Sequence, residues 1–472
     1  MKPIGKYLGL FTDHYELTMA EGYLLAGRGE VAANFDYFFR KNPFRSGFTV
    51  FAGLQDLAEM VQQFKFDGEA LDYLHRRGFH SDFLEFLKGF SFTGNLYAPN
   101  EGEVVFPEEP VARLEGTLIE TQLLETLVLN TLNFQSLIAT KANRLRHSAG
   151  DRLLMDFGMR RAQGWAALHA TRAAAIGGVD STSNVLSAFL YGLPSSGTQA
   201  HSWIQSFGDE LTAFREFAKA HPGNCVLLVD TYDTLKSGVP NAITVAKEMA
   251  SAGKQLLAIR LDSGDLAYLS KAARKLLDRA GLEGVKILAS NQLDEYIINS
   301  LVQQGAPIDG FGVGTSLVTG QQDGALDGVY KLSHVGNNPT IKLSEDINKT
   351  TLPGKKKIVR CIGDNDKFYA DAILLEGEDE NGIDTIYHPQ YANKKSFLAG
   401  LKKEPIASTV FENGKFVMKE KGIKEIAEYR KHRVAQLSDE HKRFEFPHIY
   451  KVGISNNLMN MRDGLLTGFN KK

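Results

Sequence analysis

The chain has 472 residues, 43% of them hydrophobic and 23% charged, a composition that is typical of a folded globular protein and excludes a disordered one. Its 54 basic and 56 acidic side chains leave a formal charge of -2, which excludes an overall positive field that would attract nucleic acid or an anionic membrane. Two cysteines, Cys225 and Cys361, exclude a disulfide framework and a four-thiolate zinc site. With no apolar run near the roughly 18 residues of a membrane span, we expect a cytoplasmic protein of about three domains, with no nucleic-acid or membrane partner.

The first part of the chain, residues 1–150, mixes strand and helix patterns. In ANFDYFFRKNPF every second residue from Phe35 to Phe39 is aromatic, which is typical of a strand with one buried face. Apolar residues at helical spacing follow in residues 54–64. These patterns predict an α+β domain at the N-terminus.

A long apolar helix is predicted to close this domain. Thr117 and Glu120 form a capping-box pattern, and the residues from there to Gly150 are apolar around most of the helix circumference. Such a helix is expected to be buried.

From Asp151 onward, short apolar runs alternate with amphipathic helical patterns. The runs are RLLMDF, NCVLLVD, QLLAIRLD, VKILAS and DGFGVG. Continuous apolar runs are typical of parallel strands that are covered on both faces, and Gly253 and Gly281 are expected to close two of the intervening helices. Strand–helix units in series predict an α/β fold with a parallel barrel in residues 151–345.

The character of the sequence changes again in residues 346–472. A basic loop, LPGKKKIVR, precedes further strands and a charged helix near EIAEYRKHRVAQL. We predict a C-terminal appendage that packs back on the N-terminal domain.

Each predicted barrel strand ends in a polar cluster. The clusters are DFGMRR (156–161), DTYD (230–233), RLDSGD (260–265), SNQ (290–292) and GVGT (312–315). The active site of a parallel barrel is built at these strand ends, so we expect the clusters to converge. Taken singly, each cluster is equally well explained as a turn or as surface charge.

The side chains of these clusters are suited to binding an anionic ligand together with a metal ion. Arg160 and Arg161, predicted at a helix start, and Arg260 offer forked donors for phosphate or carboxylate oxygens. The aspartates supply hard oxygen ligands for magnesium, which takes one or two carboxylates. Neither GxxxxGK[ST] nor GxGxxG occurs, so a P-loop and a classical dinucleotide fold are not supported.

His201 lies in SSGTQAHSW, a run of small residues between the first and second barrel strands. Small neighbours allow a ligand to approach the imidazole, whereas the simpler alternative is a histidine that caps a helix or satisfies a core hydrogen bond. Its position favours the functional interpretation. We expect His14 to be structural or to support residues that contact the ligand, and Cys225 to be an inert core thiol.

Motifs along nearly the whole chain carry a family resemblance. They are FTDHYELTMAEGY, FDYFFRKNPF, ETLVLNTLNFQSLIATKA, DFGMRRAQG, GGVDSTSNV, GTQAHSW, IRLDSGDL, GVGTSLVTG, and VYKL followed by IKLSEDINKTTLPGKK. In this order they resemble the nicotinate phosphoribosyltransferases. The resemblance implies ligation of nicotinate to 5-phosphoribosyl 1-diphosphate, giving nicotinate mononucleotide and diphosphate, with ATP hydrolysed through a phosphohistidine.

The resemblance also implies the architecture and the components of the enzyme. It implies an incomplete parallel α/β barrel of the type II phosphoribosyltransferase kind, with an α+β N-terminal domain and a C-terminal appendage. Mg²⁺ is implied as cofactor, ATP as co-substrate, and a homodimer as the assembly.

The predicted site residues fall into four groups. For catalysis they are His201 as the phosphorylated residue, Arg160, Arg161 and Asp262; for nicotinate Tyr15, Thr198 and Arg260; for phosphoribosyl diphosphate Arg40, Gly312, Gly314 and Thr315; and for metal, as candidates, Asp230, Asp233 and Asp265. Asp230 and Asp233 are also the two candidates for the group that orients His201, and the sequence does not choose between them.

Two other functions are consistent with the same motifs. One is a nicotinamide phosphoribosyltransferase of the same fold, although Met159-Arg160-Arg161 and Gln199-Ala200-His201 match the nicotinate type. The other is a catalytically silent barrel that binds a nucleotide and regulates a partner. The presence of His201 and of the full acidic set argues against it, because a binding protein needs no nucleophile.

Overall fold

The computed structural model describes residues 4–343, 350–391 and 393–469. The chain forms two compact units, one from residues 1–137 and 325–472 and the other from residues 138–324. The predicted boundaries at residues 150 and 345 stay a prediction. Part of the predicted motif IKLSEDINKTTLPGKK, residues 344–349, lies outside the described residues.

The N-terminal part alternates helices and strands. Its elements are α1 (His14–Leu25), β1 (Ala32–Phe39), β2 (Thr49–Val50), α2 (Leu54–Gln63), α3 (Gly68–Arg76), α4 (Ser81–Lys88), β3 (Asn95–Pro99), β4 (Val104–Val105), β5 (Ala112–Thr117), α5 (Leu118–Leu123) and α6 (Glu125–Ala149). The predicted aromatic strand is β1, and the ring of His14 packs edge-on against Phe79 with 5.8 Å between centroids.

The predicted capping box is present at the start of α5. The side chain of Thr117 accepts from the Glu120 backbone, and the Glu120 side chain accepts from the Thr117 backbone. The single long helix predicted from this point is in fact two helices, α5 and α6. They separate at Leu124, because the amide of Leu124 bonds to the carbonyl of Gln122 instead of one four residues back.

The middle part of the chain alternates strands and helices. Its elements are β6 (Leu153–Asp156), α7 (Ala166–Gly177), β7 (Ser181–Thr182), α8 (Val185–Tyr191), α9 (His201–Gln205), α10 (Glu210–Ala220), β8 (Val226–Leu228), α11 (Val239–Ser251), β9 (Ala258–Leu261), α12 (Leu266–Arg279), β10 (Lys286–Ser290), α13 (Glu295–Gln303), β11 (Gly310–Val313) and α14 (Thr315–Val318). A π-helical turn, Thr234–Gly238, precedes α11.

These strands form one six-stranded parallel sheet in the order β7-β6-β11-β10-β9-β8. All five predicted strands are present, and Gly253 and Gly281 close α11 and α12 with positive φ of 70° and 75°. The sequence missed β7, because its two hydroxyl residues form no apolar run. Parallel strands place their carboxyl ends on one edge, so the polar clusters that follow them share that edge.

The core of this unit lies where β8 and β9 pack against α10 and α11. Cys225 is fully buried in it, and burial raises the pKa of its thiol to about 11. This agrees with the expected inert thiol.

The C-terminal part adds strands and two helices. Its elements are β12 (Gly328–Val335), β13 (Asn338–Pro339), β14 (Lys356–Ile362), β15 (Phe368–Leu375), β16 (Thr385–Tyr387), β17 (Lys395–Phe397), β18 (Lys402–Pro405), β19 (Ala407–Glu412), β20 (Lys415–Phe416), α15 (Ile423–Gln436), β21 (Val452–Ile454) and α16 (Asn456–Phe469).

Strands from both ends of the chain share an antiparallel sheet in the first unit. Its order is β13-β12-β1-β5-β3-β19-β20, and β12 pairs with β1 while β19 pairs with β3. A second sheet, β17-β16-β21-β15-β14-β18, is formed by C-terminal strands. None of the helices in the described ranges combines the length and the apolar character that crossing a membrane requires.

Gly238, at the end of the π-helical turn, is tightly packed against the segment that follows β8. A Cβ at this position would overlap the carbonyl oxygen of Val229, and backbone cannot move aside as a flexible side chain can. We expect Gly238→Ala to lower the free energy of unfolding by about 1–3 kcal/mol or more, measured by urea denaturation. Gly223→Ala, with no neighbour within 4 Å, is the matched control, and equal effects of the two substitutions would contradict the packing argument.

Candidate active site

Arg260 lies among the polar groups that follow the parallel strands. Its side chain is 12% exposed, and burial lowers the pKa of its guanidinium. Nη1 donates to the carboxylate of Asp262 at 3.3 Å and to the hydroxyl of Ser290 at 3.0 Å, and Nη2 donates to the carbonyl of Gln199 at 3.0 Å. Nε has no hydrogen-bond partner in the described part of the chain. The guanidinium is therefore fixed by the protein and retains a donor for a ligand.

Two aspartates connect the segments that follow β8 and β9. Oδ2 of Asp230 accepts from the backbone N–H of Asp262 at 2.7 Å and from the hydroxyl of Ser263 at 2.7 Å. Oδ1 of Asp230 is buried and has no partner among the described residues. Asp262 accepts from Arg260 and from Ser290 through Oδ1. The free oxygen of Asp230 is therefore available to a cation or to a donor on a ligand.

His201 is the first residue of α9 and its side chain is 42% exposed. Nδ1 lies 3.1 Å from Oγ1 of Thr231, and Nε2 lies 3.8 Å from Oδ2 of Asp262. The prediction that Asp230 or Asp233 orients the ring was wrong, because Asp230 binds the backbone of the next loop and Asp233 caps a helix. The carboxylate of Asp262 favours a proton on Nε2, which leaves Nδ1 as the acceptor of the threonine hydroxyl.

Arg160 and Arg161 lie in the loop after β6, with both side chains exposed. They are not at a helix start as predicted, since α7 begins only at Ala166; the N–H of Arg161 instead bonds to the carbonyl of Gly158 at 2.8 Å and closes a turn. Arg160 nevertheless contributes to lowering the pKa of Arg260, so positive charge gathers here and favours an anionic ligand.

The GVGT loop follows β11, which is the direct neighbour of β6. A Cβ at Gly312 would overlap the ring of Phe157, so side-chain packing alone requires this glycine. Gly314 precedes the short α14, which begins at Thr315. The hydroxyl of Ser316 is buried without a partner in the described ranges. The assignment of this loop to a phosphate stays a prediction.

Asp233 and Asp265 are helix caps rather than free ligands. Asp233 accepts from the backbone N–H of Lys236 at 2.8 Å, and this bond holds the pKa of the carboxyl below its usual value. Asp265 accepts from the N–H of Tyr268 at 3.0 Å. Among the described residues no group of three or more His, Cys, Asp or Glu could hold a metal ion. Of the three predicted metal ligands, Asp230 is the one with a buried carboxylate oxygen that lacks a partner there.

Two predicted site residues, Tyr15 and Arg40, belong to the first unit. Tyr15, in α1, is 45% exposed, and partial burial together with the charge of Glu125 raises the pKa of its hydroxyl. The guanidinium of Arg40 lies 5.7 Å from the ring centroid of Phe38. Burial raises the pKa of Glu108 to about 7, and Arg40 opposes this shift. The roles of Tyr15 and Arg40 in binding stay predictions.

The sequence left three contacting residues without a role: Gln199, Thr231 and Ser290. Gln199 and Ser290 bind the guanidinium, and Thr231 contacts the imidazole. Each stands inside a cluster that the sequence had singled out, GTQAHSW, DTYD or SNQ. Thr198, a predicted nicotinate contact, donates to the same Gln199 carbonyl at 3.1 Å. The clusters therefore pointed to the segments that form the site. Which residue of a cluster contacts the guanidinium or the imidazole is set by the backbone geometry, which the sequence pattern does not contain.

The segments after these strands bring an imidazole, two carboxylates and a fixed guanidinium into one network. Such a set binds and polarises anionic substrates. A parallel sheet that carries such a set at its strand ends agrees with the incomplete α/β barrel of the type II phosphoribosyltransferases, the class that the resemblance implies. This confirms the predicted fold class.

Comparison with known families agrees with this class. The model of the nicotinate phosphoribosyltransferase N-terminal domain matches residues 10–133, that of the nicotinate phosphoribosyltransferase family matches residues 153–380, and that of the C-terminal domain matches residues 355–462. Together these matches extend over most of the chain.

Individual relatives agree as well. The nicotinate phosphoribosyltransferase of Bacillus subtilis is 44% identical over 95% of this chain and 93% of its own length, and that of Dictyostelium discoideum is 37% identical over 97% and 88%. The crystal structure of human nicotinic acid phosphoribosyltransferase matches with a TM-score of 0.86 at 30% identity, over 96% of this chain and 99% of that one. The chain belongs to the nicotinate phosphoribosyltransferase family, and it is an enzyme.

Thr231 tests the geometry at His201. Thr231→Val removes the hydroxyl that bonds to Nδ1, while Thr231→Ser keeps it. Because one hydrogen bond contributes about 0.5–1.5 kcal/mol, we expect the valine variant to lower the ratio of the oriented to the reoriented imidazole by roughly threefold to tenfold. Nitrogen-15 NMR of the imidazole measures this ratio. A valine variant with the parental ratio would show that Thr231 does not orient the ring.

Proposed function

We propose that the protein ligates nicotinate to 5-phosphoribosyl 1-diphosphate, giving nicotinate mononucleotide and diphosphate, with ATP hydrolysed through a phosphohistidine at His201. The observation that carries this proposal is the fixed guanidinium of Arg260 in one hydrogen-bonded network with Asp262 and next to His201. The names of the relatives supply the identity of the substrates.

We assign binding of the nicotinate carboxylate to Arg260. Its guanidinium is held by the protein and has an unpartnered Nε, so that a pyridine carboxylate gives the buried cation a second partner of opposite charge beside Asp262. Thr198 stands one residue from the carbonyl that binds this guanidinium. Tyr15 is assigned to the base by resemblance, as a ring that stacks on the pyridine.

The phosphoribosyl donor is assigned to the loops after β6 and β11, which are adjacent strands. Arg160 and Arg161 offer exposed guanidinium groups for its phosphates. Gly314 and Thr315 are assigned by resemblance to the ribose phosphate, and Arg40 and Gly312 stay in the proposed set.

In the proposed reaction the pyridine nitrogen forms a bond to C1 of the ribose, and the bond from C1 to the diphosphate oxygen breaks. The electron pair of the broken bond leaves with the diphosphate. The protein needs no base for the nucleophile, because nicotinate nitrogen carries a lone pair. The arginines stabilise the charge that develops on the leaving group.

Asp230 fits the Mg²⁺ that this family implies. Its Oδ1 is buried and unpartnered within the described chain, and Mg²⁺ takes one or two carboxylates while keeping several waters. Asp233 and Asp265 are engaged as helix caps, so we propose Asp230 as the carboxylate that holds the ion. When bound, Mg²⁺ neutralises diphosphate charge.

ATP is proposed to phosphorylate His201. Nδ1 first gives up its hydrogen bond with Thr231 and then attacks the γ-phosphorus. The bond from phosphorus to the bridging oxygen breaks, and ADP leaves; water later releases phosphate from the ring. Asp262 stabilises the positive charge that the imidazole acquires. The phosphorylated ring then orders the surrounding loop and tightens substrate binding, for which a hundredfold gain corresponds to about 2.7 kcal/mol.

A homodimer is proposed from the resemblance. In its support, α8 exposes an apolar face: Val185 is 72%, Phe189 82% and Leu190 53% exposed. Apolar side chains grouped in this way mark association surfaces more often than isolated ones do. Sedimentation equilibrium determines the mass in solution.

The choice of base is the first test of the proposed function. Incubated with the phosphoribosyl donor, ATP and Mg²⁺, the protein is expected to form the mononucleotide from nicotinate with a kcat/KM at least tenfold above that for nicotinamide. The reason is that a neutral amide adds no negative charge to the one that Arg260 shares with Asp262, and tenfold requires only about 1.4 kcal/mol. Equal values for the two bases would favour the nicotinamide alternative, and no product from either would favour the silent regulator.

The phosphohistidine is tested with γ-labelled ATP. The parent is expected to take up acid-labile, base-stable label, and His201→Asn is expected to lose both the label and ATP hydrolysis while it retains slow ATP-independent synthesis, because the glycosyl exchange itself needs no covalent enzyme intermediate. His221→Asn is the control for loss of a histidine elsewhere in the same unit. Equal labelling of the His201 variant would refute the mechanism.

A further inference from the structure

Gln199 is a buried amide without hydrogen-bond partners. The residue is 4% exposed, and neither Oε1 nor Nε2 has a partner in the described ranges of the chain. Burying an amide without hydrogen bonds is unfavourable, so this side chain calls for an explanation.

The same unit shows how buried amides are otherwise accommodated. Asn184 is also fully buried, and its Nδ2 donates to the carbonyl of Ala167 at 3.3 Å while its Oδ1 accepts from the N–H of Ser187 at 3.3 Å. The fold thus pairs a structural amide at both ends. Gln199 lacks this pairing, which points to a partner from outside the chain.

The backbone of Gln199 contacts the candidate site. Its carbonyl accepts from Nη2 of Arg260 at 3.0 Å, and it stands two residues before His201. Unpartnered atoms also occur on Nε of Arg260 and on Oδ1 of Asp230. Donors and acceptors without partners in the described chain therefore occur in residues of one hydrogen-bonded network, as expected where a ligand supplies the partners.

We propose that Nε2 of Gln199 donates a hydrogen bond to the carboxylate of the pyridine base beside Arg260, and that Gln199 is a further specificity-determining residue of the reaction. The proposal rests on the proposed function. Arg260 supplies the positive charge, and the amide donor occupies an oxygen that the guanidinium does not reach. The observation favours the base over the ribose because the backbone carbonyl of the same residue binds the guanidinium that is assigned to the base.

The first test replaces the amide by an isosteric apolar side chain. Gln199→Met is expected to raise KM for nicotinate about tenfold and to leave KM for the phosphoribosyl donor unchanged. Without ligands its Tm is expected to equal or exceed that of the parent, because a buried unpaired amide has been removed. Gln205→Met, the same substitution at an exposed position of α9, is the control and is expected to change neither quantity.

Each other result of this test overturns the proposal. A lower Tm with unchanged KM for nicotinate would show that the amide is structural. A rise in KM for the phosphoribosyl donor alone would place Gln199 on the ribose or its phosphates.

The second test introduces charge at the same position. Gln199→Glu places a carboxylate against the nicotinate carboxylate, and it can accept from the amide of nicotinamide. We expect the ratio of kcat/KM for nicotinate to that for nicotinamide to fall by about a hundredfold, and an unchanged ratio would overturn the proposal. The Tm increase that nicotinate causes in the parent is measured in parallel. A parent that is stabilised by nicotinate but forms no mononucleotide would refute the proposed function, whereas loss of that stabilisation in Gln199→Met would still support this contact.

Discussion

The buried positive charge of Arg260 is the constraint on which the candidate site depends. Removing a guanidinium from water costs several kcal/mol unless partners compensate, and the partners here are Asp262, Ser290 and the carbonyl of Gln199. These groups lie in three separate segments, so that one cation holds three loops together. Asp262 also accepts from Ser290 and faces His201, so its charge is shared and the guanidinium is left able to attract an anion.

The parallel sheet makes this arrangement possible. Because parallel strands end on the same edge, polar residues that are far apart in sequence meet without long loops. Asp230 shows the consequence, since it follows β8 and accepts from the backbone after β9. Two glycines allow the close packing that this arrangement needs. A side chain at Gly238 would collide with the segment after β8, and a side chain at Gly312 would collide with the segment after β6. Tight packing beside the strand ends thus keeps the loops in place.

How far the sequence predicts the structure depends on the kind of signal. Apolar runs predicted five of the six parallel strands, but β7 consists of Ser181 and Thr182 and has no apolar signal. Capping chemistry predicted the start of α5 at Thr117, whereas the break at Leu124 arises from a single backbone bond that no residue type announces.

The candidate site divides in the same way. Position at a strand end identified Arg260 and Asp262 as candidates, and position in a run of small residues between two barrel strands identified His201. It did not distinguish Asp230 from Asp233, since one binds a neighbouring loop and the other caps its own helix. Which partner each aspartate binds depends on the direction of the backbone over two or three residues, and residue types alone do not show that direction. Resemblance supplied the substrates, which neither composition nor spacing contains.

The proposed site depends on the charge of Arg260 selecting a pyridine base that carries a carboxylate. The most direct measurement compares the parent with Arg260→Gln, which keeps donors but removes the charge, using the ratio of kcat/KM for nicotinate to that for nicotinamide. The account predicts that this ratio falls by at least tenfold, about 1.4 kcal/mol, and approaches one. A ratio that stays at the parental value would contradict it.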